Sequence, residues 1–154
     1  MGNAPGVRGP LGLARQRLAD RIAAGTAEIV QGDAVALPWE DGRFSPVTCM
    51  AAFESFPEPQ RALSEMHRVL RPGGRSVLTI GWKVDETKRT GVTDASGFWV
   101  WGEADARRMM EGAGFADVAI SYGRMGGDSR LITLISRAEL GTDELRLVRG
   151  VKSP

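Results

Sequence analysis

The sequence predicts an α/β fold: a mainly parallel sheet with flanking helices and an antiparallel hairpin toward the carboxyl end. Three observations carry this. Short apolar runs, too brief for helices, alternate with stretches whose apolar residues recur at helical spacing. Glycine or proline stands at nearly every change of pattern. The alternation itself is that of right-handed crossover units, which place successive strands parallel in one sheet. At 154 residues the chain is the size of one domain.

Residues 1–10 hold three glycines and two prolines without apolar periodicity, and they are expected to be a flexible leader. Leu11, Ala14, Leu18 and Ile22 then repeat at helical spacing, with Arg15, Arg17, Asp20 and Arg21 on other faces and Gly25 as a stop. Ala27 to Gln31 is a short β-prone run ended by Gly32, and Val47 to Ala52 is an apolar run behind Pro46. Both are expected to be buried strands.

Pro57 and Pro59 mark the start of a second helix, carried by Leu63, Met66 and Leu70 and closed by Arg71-Pro72-Gly73-Gly74. Val77 to Trp82 follows as a strand. A polar segment from Lys83 to Ser96 precedes a third helix through Ala106, Met109, Met110 and Ala113, stopped by Gly114. Phe115 to Tyr122 and Leu131 to Ser136 complete the strands, as an antiparallel hairpin around Gly123, Gly126 and Gly127. The domain is thus expected over 11–137, with 138–154 a tail without clear pattern.

Composition narrows the function classes. A formal net charge of +1 offers no general attraction for nucleic acid or membrane, and neither is expected as a partner. One cysteine and one histidine exclude an intrachain disulfide and a Cys- or His-rich metal site, so no metal is expected. No run approaches the roughly 18 apolar residues of a membrane span, and no signal-peptide pattern opens the chain. A cytoplasmic setting fits.

In open α/β sheets ligands lie beyond the carboxyl ends of the strands. Asp33 follows the Ala27 to Gln31 run, where its carboxylate either accepts hydrogen bonds from an exocyclic amine such as that of adenine or caps a turn. The Ala34 N–H can meet a ring nitrogen. Cys49, inside an apolar run, is expected to be an inert core thiol, and His67, mid-helix beside Arg68, is given no catalytic role. Phe98, Trp99 and Trp101 form either a lid over an apolar substrate or an anchor for the polar loop before them. Anchoring is the expectation.

The run Val30-Gln31-Gly32-Asp33-Ala34-Val35-Ala36-Leu37-Pro38-Trp39, then Asp41-Gly42-Arg43-Phe44 and Val47-Thr48-Cys49-Met50-Ala51-Ala52-Phe53, resembles class I S-adenosylmethionine-dependent methyltransferases of the type 11 group. Phe56-Pro57-Glu58-Pro59 and Ala62 through Gly74 continue the likeness without a gap. The resemblance covers most of Leu13 to Tyr122. It implies a Rossmann-like sheet in which Gly32, Asp33 and Ala34 hold the adenine of S-adenosylmethionine and Met50 and Ala51 lie near its methionine part. It further implies that Phe53, Glu54 and Phe56 border the site of a small-molecule methyl acceptor, with Glu54 the nearest candidate base.

The family pattern opens with a strand and a glycine-rich turn, then a second strand ending in an acid. This sequence shows neither. Gly6, Gly9 and Gly12 lack a preceding strand and are spaced by two residues each. The sheet is therefore expected to be incomplete, as in a truncated enzyme, which leaves cofactor binding by this chain alone open. Either the Ala27 strand pairs directly with the Val47 strand, or a second chain completes the sheet. The contrasting expectation is a non-catalytic remnant or pairing subunit.

Overall fold

The computed structural model describes residues 10–82, 90–124 and 144–154. The chain divides between Asp33 and Ala34 into two compact units. Residues 1–9 of the expected leader and the expected strand Leu131 to Ser136 lie outside the described residues. Pro10 opens a helix instead of ending the leader.

In the first unit the single amphipathic helix of the sequence reading is two helices, α1 (Pro10–Arg17) and α2 (Ala19–Ala23), broken at Leu18. Of the expected apolar face, Leu11, Ala14 and Leu18 are half-buried, whereas Ile22 is 37% exposed. Gly25 closes α2 at φ +68°, a left-handed conformation that glycine takes without Cβ strain. The strand expected over Ala27 to Gln31 does not form, and the segment is irregular. A strand is stabilised by a hydrogen-bonded neighbour, and none of the sheet's strands pairs with this segment. Direct pairing of Ala27 to Gln31 with the Val47 strand is thereby corrected.

Among its described residues the second unit holds a four-stranded sheet, a two-stranded ribbon and two α-helices. β1 (Val47–Cys49) and β2 (Arg75–Trp82) run parallel, joined by α3 (Pro59–Val69) in the expected crossover. The ribbon is β3 (Val92–Thr93) with β4 (Trp99–Val100), antiparallel. Its turn is built by Asp94, whose Oδ1 accepts the N–H groups of Ser96 (2.8 Å) and Phe98 (3.0 Å). α4 (Glu103–Gly112) leads into β5 (Phe115–Arg124), and β6 (Glu144–Lys152) completes the sheet in the order β1-β2-β6-β5. β6 is antiparallel to both neighbours.

This placement corrects the reading of 138–154 as a patternless tail. β6 lies inside the sheet, and the antiparallel partner of β5 is Glu144–Lys152. Val148 is fully buried in the core with Phe53, Leu63, Leu70, Leu78 and Ile80. Among the described residues no helix is long and apolar enough to cross a membrane.

The turn after α3 is tied to β6. Gly73, at φ +73°, donates its N–H to the Lys152 carbonyl (2.8 Å), and the Lys152 N–H meets the Gly74 carbonyl (2.9 Å). The Lys152 ammonium donates to the carbonyls of Leu70 (2.8 Å) and His67 (3.1 Å), satisfying groups that the end of α3 leaves open.

His67 packs edge-on against Phe115, with ring centroids 5.0 Å apart. Burial, reinforced by the Lys152 charge, holds its imidazole below the usual value of 6.5, although a hydrogen bond with the Gly114 backbone opposes the shift. The folded chain therefore favours neutral His67. Its stability contribution is present above the unfolded value and is lost as pH falls through the lower folded value. Thermal melts taken between about pH 7.5 and 5 should show the wild-type midpoint falling more steeply than that of His67→Gln. Parallel curves would assign the pH dependence to other groups.

Candidate functional site

β1 ends early. Of the expected run Val47 to Ala52, only Val47–Cys49 is strand, and the chain leaves the sheet at Met50. Ala51 sits at φ +52°, strained for a residue with a Cβ, and its N–H donates to Thr79 Oγ1 on β2 at 2.7 Å. Thr79 is itself 1% exposed, so the latch is fixed from within the sheet. The result is an outward loop at the carboxyl end of β1, with the Met50 side chain 53% exposed. Strained backbone of this kind persists where surrounding structure over-determines it, commonly at ligand sites.

A 3-10 turn, Phe53–Ser55, follows. Phe53 is fully buried and belongs to the core, whereas Glu54 and Phe56 are half-buried. Of the two rings expected beside a substrate, only Phe56 therefore reaches toward solvent. Around this turn stands an aromatic cluster. Phe53 meets Phe56 edge-on with centroids 5.8 Å apart and Trp101 at 6.2 Å, and Trp99 stacks on Trp101 at 4.8 Å. Trp99 Nε1 donates to the Phe56 carbonyl at 2.9 Å. The anchoring role expected of the aromatic run thus falls to Trp99 and Trp101, while Phe98 is exposed.

Cys49 is buried, and its thiol is pushed up to about 11 by burial and then by the nearby Glu54 carboxylate. It stays protonated at neutral pH, in keeping with an inert core thiol.

The residues after Ala34 are held by α3, through contacts that the sequence reading did not anticipate. Glu65 Oε2 accepts the Leu37 N–H at 2.8 Å. Arg68 makes a two-pronged pair with Glu65, at 2.7 and 2.8 Å, and also donates to Asp41 Oδ1 and to the carbonyls of Leu37 and Trp39. This pairing holds the Glu65 carboxyl below the usual carboxylate range and raises Arg68. The available signal was the Glu65 and Arg68 spacing of three on one helix face. What the spacing could not reveal is that both side chains turn toward a distant loop.

Between this loop, β1 and α3 lies an apolar cleft of about 340 Å³, lined by Leu37, Trp39, Phe44, Val47, Cys49, Phe56, Met66 and Val69. The outer edge of β1 borders it and has no strand partner among the described residues. Ala34 is half-buried in this unit. Gly32 and Asp33, at the end of the first unit, are exposed.

Residues 8–78 match the family described as methyltransferase domain. Over 88 residues the chain is 39% identical to the ubiquinone/menaquinone biosynthesis C-methyltransferase UbiE of Methylobacterium nodulans, covering 57% of this chain and 34% of that protein. The chain thus spans about a third of the length of this curated relative. A Bacillus halodurans crystal structure assigned to the methyltransferases superimposes with a TM-score of 0.64 at 25% identity, over 94% of this chain and 79% of that one. The phosphoethanolamine N-methyltransferase 2 of Haemonchus contortus, solved with S-adenosylhomocysteine, gives a TM-score of 0.69 at 15% identity, over 94% of this chain and 41% of that one. That last likeness speaks for the fold alone.

Proposed function

Because the chain belongs to the class I S-adenosylmethionine-dependent methyltransferases of the type 11 group, we propose that it takes part in methyl transfer from S-adenosylmethionine to a small aromatic acceptor of the quinol type. The observation that carries the reading is the latched loop at the carboxyl end of β1, where Ala51 is strained and Met50 is presented to solvent. Ligands of open α/β sheets bind at such ends. The quinol acceptor rests on the function named for the Methylobacterium relative.

The residues present suit the parts of the cofactor assigned to them. The exposed Asp33 carboxylate can accept from the adenine amine, the Ala34 N–H can meet a ring nitrogen, and Gly32 leaves the approach open. Met50 and Ala51 border the methionine part. When bound, the cofactor supplies a methyl group already activated by its sulfonium. The chain's task is then chiefly positioning, with a base needed only where the acceptor must lose a proton. Phe56 and Glu54 are the residues proposed to face the acceptor, with Phe53 supporting them from the core. A cytoplasmic setting belongs to the same reading.

Calorimetric titration with S-adenosylhomocysteine tests this. The folded chain should bind at about micromolar strength, and Asp33→Ala should weaken binding about tenfold or more, the worth of a charge-assisted hydrogen bond. A chain that circular dichroism shows folded, yet without affinity, would overturn it.

A specific observation favours a second reading, in which the chain is a non-catalytic remnant or a pairing subunit completed by another chain. β1 keeps an open edge beside an apolar cleft, and Ala27 to Gln31 adds no strand to it. Absence of cofactor affinity in the folded chain alone is the result this reading expects.

A further inference from the structure

The aromatic cluster at the carboxyl end of β1 contains two polar atoms that its packing does not account for. Glu54 Oε2 and Trp101 Nε1 are both shielded from solvent, and neither has a hydrogen-bond partner among the described residues. Buried polar groups are almost always paired, because leaving one unpaired forfeits its hydration without compensation. Two groups beside them obey this rule. Trp99 Nε1 is satisfied by the Phe56 carbonyl and the Ser55 hydroxyl by the Ala52 carbonyl at 2.7 Å.

The two exceptions are complementary, one an acceptor and the other a donor, and Phe53 links them. It precedes Glu54 in the turn, and its ring lies beside that of Trp101. Trp101 is only 5% exposed and its position is fixed twice over, by stacking on Trp99 and by the buried Arg146 side chain, which donates to the Trp101 carbonyl. Stacked and buried in this way, the indole N–H is left without a partner among the described residues.

Resting on the methyl-transfer reading, we propose that Glu54 and Trp101 form a hydroxyl-binding subsite for the acceptor. A phenolic O–H donates to Glu54 Oε2 while its oxygen accepts from Trp101 Nε1–H, with the ring seated against Phe56 and Trp99. A hydroxyl both donates and accepts, which is the chemistry the two atoms call for. The subsite selects hydroxylated aromatic rings over bare ones, because an apolar ring leaves both atoms unpaired.

The test is nuclear magnetic resonance of the full chain, following the indole N–H signals of its four tryptophans, with Trp101 assigned by its loss in Trp101→Phe. Addition of 1-naphthol should shift the Trp101 indole signal saturably, with binding about fivefold or more tighter than that of naphthalene. Glu54→Gln should reduce this preference. Equal binding of the two probes, a Trp101 signal indifferent to naphthol, or no naphthol binding by the folded chain would each overturn the subsite. The wild-type comparison stands even where a variant fails to fold. S-adenosylhomocysteine titration separates the two readings. Naphthol preference without cofactor affinity keeps the subsite and removes methyl transfer, and cofactor affinity without naphthol preference does the reverse.

Discussion

Phe53→Ala should be among the most damaging single substitutions in this protein, lowering its stability by about 3–5 kcal/mol. Phe53 is fully buried, and its ring joins Phe56 and Trp101 in the core that α3, α4 and the sheet share. Truncation removes the transfer free energy of the ring and leaves a cavity that the stacked pair Trp99 and Trp101 cannot refill, because Trp101 is tethered through its carbonyl to Arg146. Small domains have stabilities of about 5–15 kcal/mol, so the variant stands near the threshold of folding. Urea denaturation followed by circular dichroism is the measurement. A loss below about 1 kcal/mol would mean that the cluster collapses onto the space and that the rings are not held as described. Phe56→Ala, at a half-buried ring, should cost clearly less.

Much of this arrangement is legible in the amino-acid order, and the parts that are not have physical reasons. The parallel pair β1 and β2 with α3 between them is announced by two apolar runs around a periodic helix bounded by Pro59 and the Gly73-Gly74 turn. Asp33 and Ala34 are singled out by their place after an apolar run and Met50 and Ala51 only by the family resemblance, yet the left-handed turn at Ala51 has no signature, since alanine does not ordinarily adopt it. The Glu65 and Arg68 clasp on the 37–41 loop joins residues far apart in the chain, beyond the reach of local spacing. Ala27 to Gln31 shows the opposite failure. Its β propensity is real, but a strand exists only through its neighbours, and propensity does not supply one.

β6 is the most instructive omission, and it yields the second large effect. Its inward positions are Arg146, Val148 and Gly150, so the buried face of a strand alternates at period two without spelling an apolar pattern. Gly150 lies opposite Ser76 on β2 because nothing larger fits beneath α4 and β5. A Cβ there would meet Met110 Cε at 2.7 Å and Phe115 Cβ at 2.8 Å, both closer than van der Waals contact permits. Gly150→Val should therefore destabilise the chain by about 1–3 kcal/mol through overpacking, at the upper end because two further methyl groups follow the Cβ.

The two obstacles differ in kind. Met110 Cε is the end of a flexible side chain and can swing aside, whereas Phe115 Cβ is fixed to the backbone of β5. Met110→Ala carries a cavity cost of its own, so the reading comes from a double-mutant cycle: in the Met110→Ala background the loss caused by Gly150→Val should be recovered only in part, a favourable coupling. Full recovery would locate the whole clash at Met110. No recovery would place it entirely at the β5 backbone, where the sheet would have to part for the valine to enter.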